Sequence, residues 1–198
     1  MAPFVYPESP HVRRHGPAGY AHYERYRPWL RDEFAFRCVY CLKREQWGVV
    51  KAAYHLDHFS AQVHQPQAAF DYDNLLYACA TCNISKGKAV IPDPCTCMLD
   101  GQVTVGEDGS IYGTTPEAMR LIRKLGLDSP DYCEFRMLII RIVQLAVAYD
   151  PSSFRMLMKY PDNLPNLASL RPPQNTRPEG VHNSFRARRD RGQLPETY

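Results

Sequence analysis

The feature that most constrains this 198-residue sequence is a pair of C-x-x-C motifs. Cys38 and Cys41 form the first motif, Cys79 and Cys82 form the second, and 37 residues lie between them. Two intervening residues allow both sulfurs of a motif to reach one ion, so the four thiolates match the tetrahedral ligand set of Zn²⁺. A segment this short buries little core, and a structural zinc supplies on the order of 10 kcal/mol of folding free energy. We therefore predict a structural zinc site.

The alternative for these motifs is thiol–disulfide exchange, in which a C-x-x-C pair cycles between dithiol and disulfide. Two pairs bracketing one short segment favour zinc. The first twenty residues contain no apolar run of the length that a secretory signal needs. The seven cysteines also make an odd number, which does not fit a closed set of disulfides. We expect a cytoplasmic protein with reduced thiols.

Composition restricts function less than the cysteines do. The formal net charge is +3, and only six of the 24 basic residues are lysine, the rest being arginine. Arginine suits bidentate contacts to phosphate, but genomic base composition produces the same bias. The most apolar stretch, residues 137–148, contains Arg141 and Gln144 and is too short for a bilayer span, so we expect no membrane partner.

Polar residues between and just after the cysteine motifs carry a second pattern. Asp57 and Asn83 offer oxygen donors suited to a hard cation such as Mg²⁺. His58 follows Asp57 directly, and histidine is the side chain whose ordinary pKa, about 6.5, lies near neutrality. His58 is therefore the candidate general base. An Asp-His pair alone is a weak signal, but its position inside the four-cysteine frame strengthens it.

At these residues the sequence resembles the HNH endonuclease family in its zinc-bearing form. The matching elements are the two cysteine motifs, the strand-like segment 54–57 ending in His58, Asn74 followed by Leu75, and the run Asn83-x-x-Lys86-Gly87. The resemblance covers about residues 36–90. It implies an α+β protein with a small ββα-metal core stabilised by zinc.

The resemblance also implies a function and roles for individual residues. The function is metal-dependent hydrolysis of phosphodiester bonds in DNA, with His58 as general base and one catalytic Mg²⁺ or Mn²⁺ held by Asp57 and Asn83. Asn74 matches the central asparagine of the family, which orients the neighbouring loop. The implied partner is double-stranded DNA, and small members with helical extensions further suggest a homodimer or a partner protein in phage defence or restriction.

The rest of the chain divides into an N-terminal arm with a short helix over residues 1–35, a hairpin with helices over 91–170, and a basic disordered tail over 171–198. Glu107-Asp108-Gly109 predicts the hairpin turn. Thr115 and Ser129, each followed by proline, predict two helix starts. For the second helix we expect a buried stripe, formed by Phe135, Leu138, Ile139, Ile142, Leu145 and Ala146.

Several residues stay secondary at this point. Lys86 and Lys88 are candidate phosphate contacts, with solvated charge as the alternative. His55 shares a strand face with Asp57 and either supports the metal or packs. Cys95 and Cys97 are expected to be ordinary thiols rather than a second metal site. The main alternative function is a catalytically inactive, zinc-stabilised module that binds nucleic acid or protein.

Overall fold

The fold combines helices with small antiparallel sheets, which confirms the predicted α+β class. The computed structural model describes residues 2–48 and 53–198. The strands are β1 (Pro17–Ala18), β2 (Tyr54–His58), β3 (Leu75–Cys79), β4 (Val103–Val105), β5 (Ile111–Gly113) and β6 (Gln174–Asn175). The helices are α1 (Arg27–Glu33), α2 (Ala80–Lys86), α3 (Pro94–Cys97), α4 (Pro116–Leu125), α5 (Pro130–Tyr149), α6 (Pro151–Met158) and α7 (Phe185–Asp190). None of the helices in these ranges is long and apolar enough to cross a membrane.

A β2–β3–α2 unit lies at the centre of the fold. Strands β2 and β3 pair in antiparallel register, with Asp57 opposite Leu76 and His58 opposite Leu75. Strand β3 is buried along its whole length and passes directly into α2. Tyr54 and Tyr77 stack with their ring centroids 5.0 Å apart. Because side chains alternate along a strand, Asp57 and His58 point to opposite faces of β2.

The helix starts after the hairpin follow the capping residues that the sequence contains. The Thr115 hydroxyl accepts a hydrogen bond from the Ala118 N–H at the start of α4, and Gly126 ends that helix in the left-handed conformation. Ser129 caps α5 in the same way. These caps satisfy N–H groups that have no partner within the helix. The hairpin of β4 and β5 also forms where its turn residues predict it.

The N-terminal arm packs into the core instead of extending into solvent. The Phe4 ring lies 5.3 Å from the Trp47 ring and 6.3 Å from the Phe135 ring, measured between centroids. Tyr6 is buried, and its hydroxyl donates to the Tyr40 carbonyl at 2.9 Å. The arm thus joins the first cysteine motif to α5 through aromatic contacts.

Two buried carboxylates at the end of α1 tie distant segments together. Glu33 accepts hydrogen bonds from the Arg14 and His15 backbone N–H groups at 2.8 and 3.0 Å, and from the Tyr72 hydroxyl at 2.9 Å. Asp32 accepts from the Phe185 backbone N–H at 2.8 Å, in the C-terminal part of the chain. A buried carboxylate needs such donors because burial removes its water. Asp32 and Glu33 therefore connect the N-terminal arm, the segment just before β3 and the C-terminal segment through hydrogen bonds.

The C-terminal segment is ordered in the structure, in contrast to the disordered tail that its composition predicts. Strand β6 pairs with β1. Arg177 forms two hydrogen bonds with the Asp73 carboxylate, at 3.0 and 2.7 Å. Tyr198 stacks on Tyr160, and Arg44 lies over the Tyr198 ring at 4.1 Å. Planar guanidinium groups stack on aromatic rings and pair with carboxylates, so arginines that composition alone treats as solvated help to hold the segment.

Helix α5 buries a different stripe from the predicted one. Ile139 and Ala146 are buried as expected, but they share their face with Val143 and Arg136. Leu138 and Leu145 are 53% and 60% exposed. Arg136 donates to the carbonyl groups of residues 109 and 127, which compensates its burial. The helix is apolar on two sides, so periodicity alone did not identify the side that packs.

Replacing Glu33 by glutamine is expected to destabilise the protein by about 3–5 kcal/mol, because it removes a buried charge and leaves buried donors without their acceptor. Urea unfolding at pH 7 measures the change in the free energy of unfolding. Glu24→Gln is the matched control, since Glu24 is exposed and pairs with Arg27 at the surface. It should cost less than about 1 kcal/mol. Equal effects of the two substitutions would contradict the proposed role of Glu33.

The same carboxylate predicts a loss of stability in acid. Burial alone raises the pKa of Glu33, but the hydrogen bonds from His11 and the Arg14 N–H and the charges of His15 and His11 lower it to about 2. Because the folded pKa lies below the ordinary 4.5, the contribution to stability is complete above about pH 4.5. It is lost as the pH falls from there towards 2. The unfolding free energy of Glu33→Gln should therefore fall less steeply across this window than that of the unaltered protein.

Candidate functional site

The four cysteines of the two C-x-x-C motifs meet at one point. Cys38, Cys41, Cys79 and Cys82 are all buried, and their sulfurs lie within 4.8 Å of one another. The Cys41 and Cys79 sulfurs are 3.7 Å apart. A tetrahedral Zn²⁺ with Zn–S bonds of about 2.3 Å separates its sulfurs by roughly 3.8 Å. Both the ligand type and the spacing fit zinc.

The electrostatics of the cluster also favour a cation. Hydrogen bonds from the neighbouring thiols lower the pKa of Cys79, whereas those to Cys38 and Cys79 raise the pKa of Cys41. Four thiolates this close repel one another unless a cation neutralises them. The Tyr132 hydroxyl, on α5, lies 3.3 Å from the Cys82 sulfur and is positioned to donate to a thiolate. Through Tyr132, the cysteine cluster is therefore also in contact with α5 in the helical extension.

A cleft of about 420 Å³ opens beside the β2–β3–α2 unit. Three of the four predicted catalytic residues line it, namely Asp57, His58 and Asn83. Tyr23 and Lys86 line it as well. Strand β2 positions Asp57 and His58. Asn83 is positioned by helix α2, whose start is anchored by Cys79 and Cys82. The structure thus brings together residues that are up to 63 positions apart in the sequence, from Tyr23 to Lys86.

His58 is held by its Nε2 atom, which lies 3.0 Å from the Ala69 carbonyl oxygen. A carbonyl oxygen only accepts hydrogen bonds, so this contact assigns the proton to Nε2 and the lone pair to Nδ1. The Gln62 side-chain amide also lies 3.1 Å from Nε2, and it fits this tautomer with its oxygen, rather than its nitrogen, turned towards the ring. No described residue forms a hydrogen bond with Nδ1. The Tyr23 ring packs edge-on against the imidazole, with centroids 4.9 Å apart. His58 is thereby fixed in one orientation with one basic nitrogen available.

Asp57 is 4% exposed and lies between two donors. The Tyr40 hydroxyl donates to one carboxylate oxygen at 2.6 Å, and the Lys86 ammonium donates to the other at 2.8 Å. Burial raises the pKa of Asp57, and the charge of Lys86 acts in the opposite direction. Burial and the Asp57 charge also raise the pKa of Tyr40, which keeps its hydroxyl a donor.

The position of Lys86 differs from the one the sequence suggests. A lysine that contacts phosphate is expected at the surface, but Lys86 is 1% exposed and also donates to the His58 carbonyl at 2.6 Å. Lys86 is the last residue of α2, and its ammonium group contacts β2 at Asp57 and at the His58 carbonyl. Its contacts make it a positioning residue for Asp57 and His58. Lys88, the other candidate, is exposed at the rim of the cleft.

Asn74 is buried beneath the loop that follows His58. Its carbonyl oxygen accepts from the Ser60 N–H at 2.8 Å, and its amide nitrogen donates to the carbonyl groups of Ser60 and Ala68 at 3.1 Å each. These three bonds span the loop from β2 to the residue before Ala69, whose carbonyl holds His58. Asn74 therefore orients the loop and lies outside the residues that line the cleft.

His55 contacts Asn83, whereas the sequence left open whether it supports the metal site or only packs. Its Nδ1 atom lies 3.0 Å from the Asn83 amide nitrogen, which can only donate. The Asn83 amide is therefore oriented with its oxygen away from His55, and no described residue donates to that oxygen. Strand alternation placed His55 on the Asp57 face, but only the fold brings α2 beside it.

The remaining candidates lie elsewhere. His64 is exposed, and its Nε2 atom lies 3.0 Å from the Lys88 carbonyl. Cys95 and Cys97 belong to α3, and among the described residues only the four-cysteine cluster groups three or more potential metal ligands. Tyr23 was not predicted as a site residue, because its three-residue spacing with neighbouring aromatics indicated core packing.

Comparison with known families agrees with this geometry. Residues 38–89 match the family model described as HNH endonuclease. These residues therefore form an HNH domain, a class of nuclease domain, and the resemblance in the sequence is confirmed for this part of the chain. No curated protein and no solved structure gives a significant match.

Removing one cysteine ligand should abolish folding. A structural zinc contributes on the order of 10 kcal/mol, which is as large as the whole stability of a typical domain. Cys79→Ala should therefore lose its zinc and its cooperative thermal transition. Elemental analysis gives the zinc content, and circular dichroism follows unfolding.

Cys133→Ala is the matched control, because Cys133 is half-buried and lies outside the cluster. It should keep about one zinc per chain and a cooperative transition. A Cys79→Ala protein with full zinc content and unchanged thermal unfolding would rule out the four-cysteine zinc site.

Proposed function

We propose that this protein is a metal-dependent endonuclease that hydrolyses phosphodiester bonds in DNA, with His58 as the general base. The observation that carries the proposal is the hydrogen bond from His58 Nε2 to the Ala69 carbonyl. It leaves Nδ1 as the basic atom of a histidine that lines a cleft together with Asp57 and Asn83. The HNH family match at residues 38–89 supports the class of reaction.

In the proposed reaction, neutral His58 takes a proton from the attacking water at Nδ1. The carbonyl of Ala69 stabilises the imidazolium that forms, because it continues to accept the Nε2 proton. The Tyr23 ring and the loop held by Asn74 prevent the imidazole from rotating. Such a fixed orientation matters, since a misplaced base loses much of its catalytic effect.

The oxygen donors of Asp57 and Asn83 fit a hard divalent cation such as Mg²⁺ or Mn²⁺. When bound, such an ion supplies charge neutralisation at the phosphate and at the leaving oxygen. Tyr40 and Lys86 hold the Asp57 carboxylate, and His55 orients the Asn83 amide. The protein's own contribution is thus to fix the orientation of two side chains that line the cleft and carry oxygen donors.

The alternative is a zinc-stabilised module that binds nucleic acid or protein without catalysis. One observation favours it, namely that the Lys86 ammonium already pairs with the Asp57 carboxylate. An active enzyme must share or displace this contact when it binds a cation. If the unaltered, zinc-loaded protein binds DNA but does not cleave plasmid, this alternative is favoured.

His58→Ala should lower the rate of supercoiled-plasmid cleavage in Mg²⁺ or Mn²⁺ by about 10²–10⁴-fold, because a general base contributes about that factor. The substituted protein should keep its zinc and its unfolding temperature. Cleavage is followed on agarose gels with and without the divalent cation. EDTA is avoided as a control, since it also removes structural zinc.

His64→Ala is the matched control, as His64 is an exposed histidine of the loop that follows His58 and is not among the residues that line the cleft. It should cleave within a few-fold of the unaltered rate. If His58→Ala cleaved as fast as His64→Ala, another residue would have to be the base.

His55→Ala should weaken the catalytic cation by about 10-fold or more, because residues that orient metal ligands typically contribute 10–100-fold to metal affinity. Titration calorimetry of Mn²⁺ into the His58→Ala protein, with and without the second substitution, measures this directly. Cleavage by His55→Ala alone should recover at high Mg²⁺ concentration. A lower rate that no Mg²⁺ concentration restores would instead indicate a general structural role for His55.

A further inference from the structure

A second cleft, of about 440 Å³, lies outside the HNH domain and has no assigned role. It forms between the segment around α1 and the start of the C-terminal segment. Its charged lining is unusually basic for a protein of net charge +3. The lining contains four arginines and one carboxylate, namely Arg25, Arg27, Arg31, Arg171 and Glu24.

Two of these arginines are already paired, and two are not. Arg27 pairs with Glu24 at 2.7 Å, and Arg31 pairs with Glu45 at the same distance. Arg25 is exposed and makes no side-chain hydrogen bond or ion pair with any described residue. Arg171 is exposed and donates only to nearby carbonyl oxygens of its own segment. The cleft therefore keeps about two positive charges without a carboxylate partner.

Two contacts connect the segment that lines the basic cleft to the HNH domain. Tyr23 packs against His58 in the HNH cleft, and Glu24 and Arg25 follow it directly along the chain. Arg27 donates to the Tyr54 carbonyl at 2.8 Å, at the opposite end of the strand that ends in His58. Four residue steps along β2 span about 13 Å. This length corresponds to roughly four base-pair steps of DNA at 3.4 Å each.

We propose that this cleft binds the phosphodiester backbone of the DNA substrate a few nucleotides from the scissile bond. The inference rests on the proposed function, because it assigns the substrate contact that a nuclease needs beyond the reacting phosphate. Arg25 and Arg171 contact phosphates, and Arg27 and Arg31, held by their carboxylate partners, form the wall of the cleft. Backbone contacts of this kind add affinity and orientation without reading sequence.

The test measures how DNA binding depends on salt. A fluorescent DNA duplex is titrated with zinc-loaded His58→Ala protein at several KCl concentrations between 50 and 200 mM. In this background, Arg25→Gln and Arg171→Gln should each reduce the slope of log affinity against log salt by about 0.9, and the double variant by about 1.8. The fourfold increase in salt should then weaken the double variant about 12-fold less than its parent.

Two further variants sharpen the test. Arg141→Gln removes an exposed arginine on α5 that lines neither cleft, and should leave the slope unchanged. Glu24→Gln removes the carboxylate that competes for Arg27, and should raise the affinity. Circular dichroism and zinc content establish that each variant is folded.

The outcomes separate this inference from the proposed function. If the unaltered protein cleaves DNA through His58 but the two arginine variants bind with the parent slope, the inference is overturned and the proposed function stands. If the unaltered protein does not cleave DNA and the His58→Ala parent does not bind it, the proposed function fails and the inference fails with it. Slope losses confined to Arg25→Gln and Arg171→Gln support the inference.

Discussion

The four-cysteine cluster is the constraint on which the rest of the structure depends. It joins the first C-x-x-C motif to the junction between β3 and α2, so the strand and the helix meet at a fixed angle. The position of Asp57 is set by the pairing of β2 with β3. The position of Asn83 is set by Cys82, the residue directly before it. With so short a strand pair and helix, hydrophobic burial alone gives little stability. The four-cysteine cluster therefore positions the candidate site, and a zinc bound there would also stabilise the domain.

Segments outside the HNH domain pack against the cysteine cluster and the candidate site. The N-terminal arm supplies Tyr23 to the His58 ring and Tyr6 to the core, and α5 supplies Tyr132 to the cysteine cluster. The buried carboxylates of Asp32 and Glu33 hold the arm and the C-terminal segment in place. A small domain with little core of its own is thus enclosed by chain on both sides. The same enclosure creates the basic cleft beside α1.

Local patterns predicted much of this arrangement because their physics is local. The cysteine spacing identified the four thiols that cluster, and Thr115 and Ser129 identified helix starts, since a cap acts on N–H groups only two or three residues away. Asp57, His58 and Asn83 were predicted from their residue types and from the family resemblance, and the structure places all three along one cleft. In contrast, the buried position of Lys86 and the support that His55 gives to Asn83 depend on how α2 lies against β2. No spacing within the sequence expresses that contact.

The sequence by itself determined which four cysteines cluster and which residue types are available for chemistry, because each depends on spacing along the chain. The β2–β3–α2 order was expected from the resemblance to the HNH family. The tertiary structure alone decided which side of α5 is buried, since Leu138 and Val143 are equally suited to a core and only the surface it meets selects between them. It also decided that the C-terminal arginines lie on aromatic rings and carboxylates. A charged side chain finds water or a partner according to what the fold brings within a few ångströms, and composition carries no information about that distance.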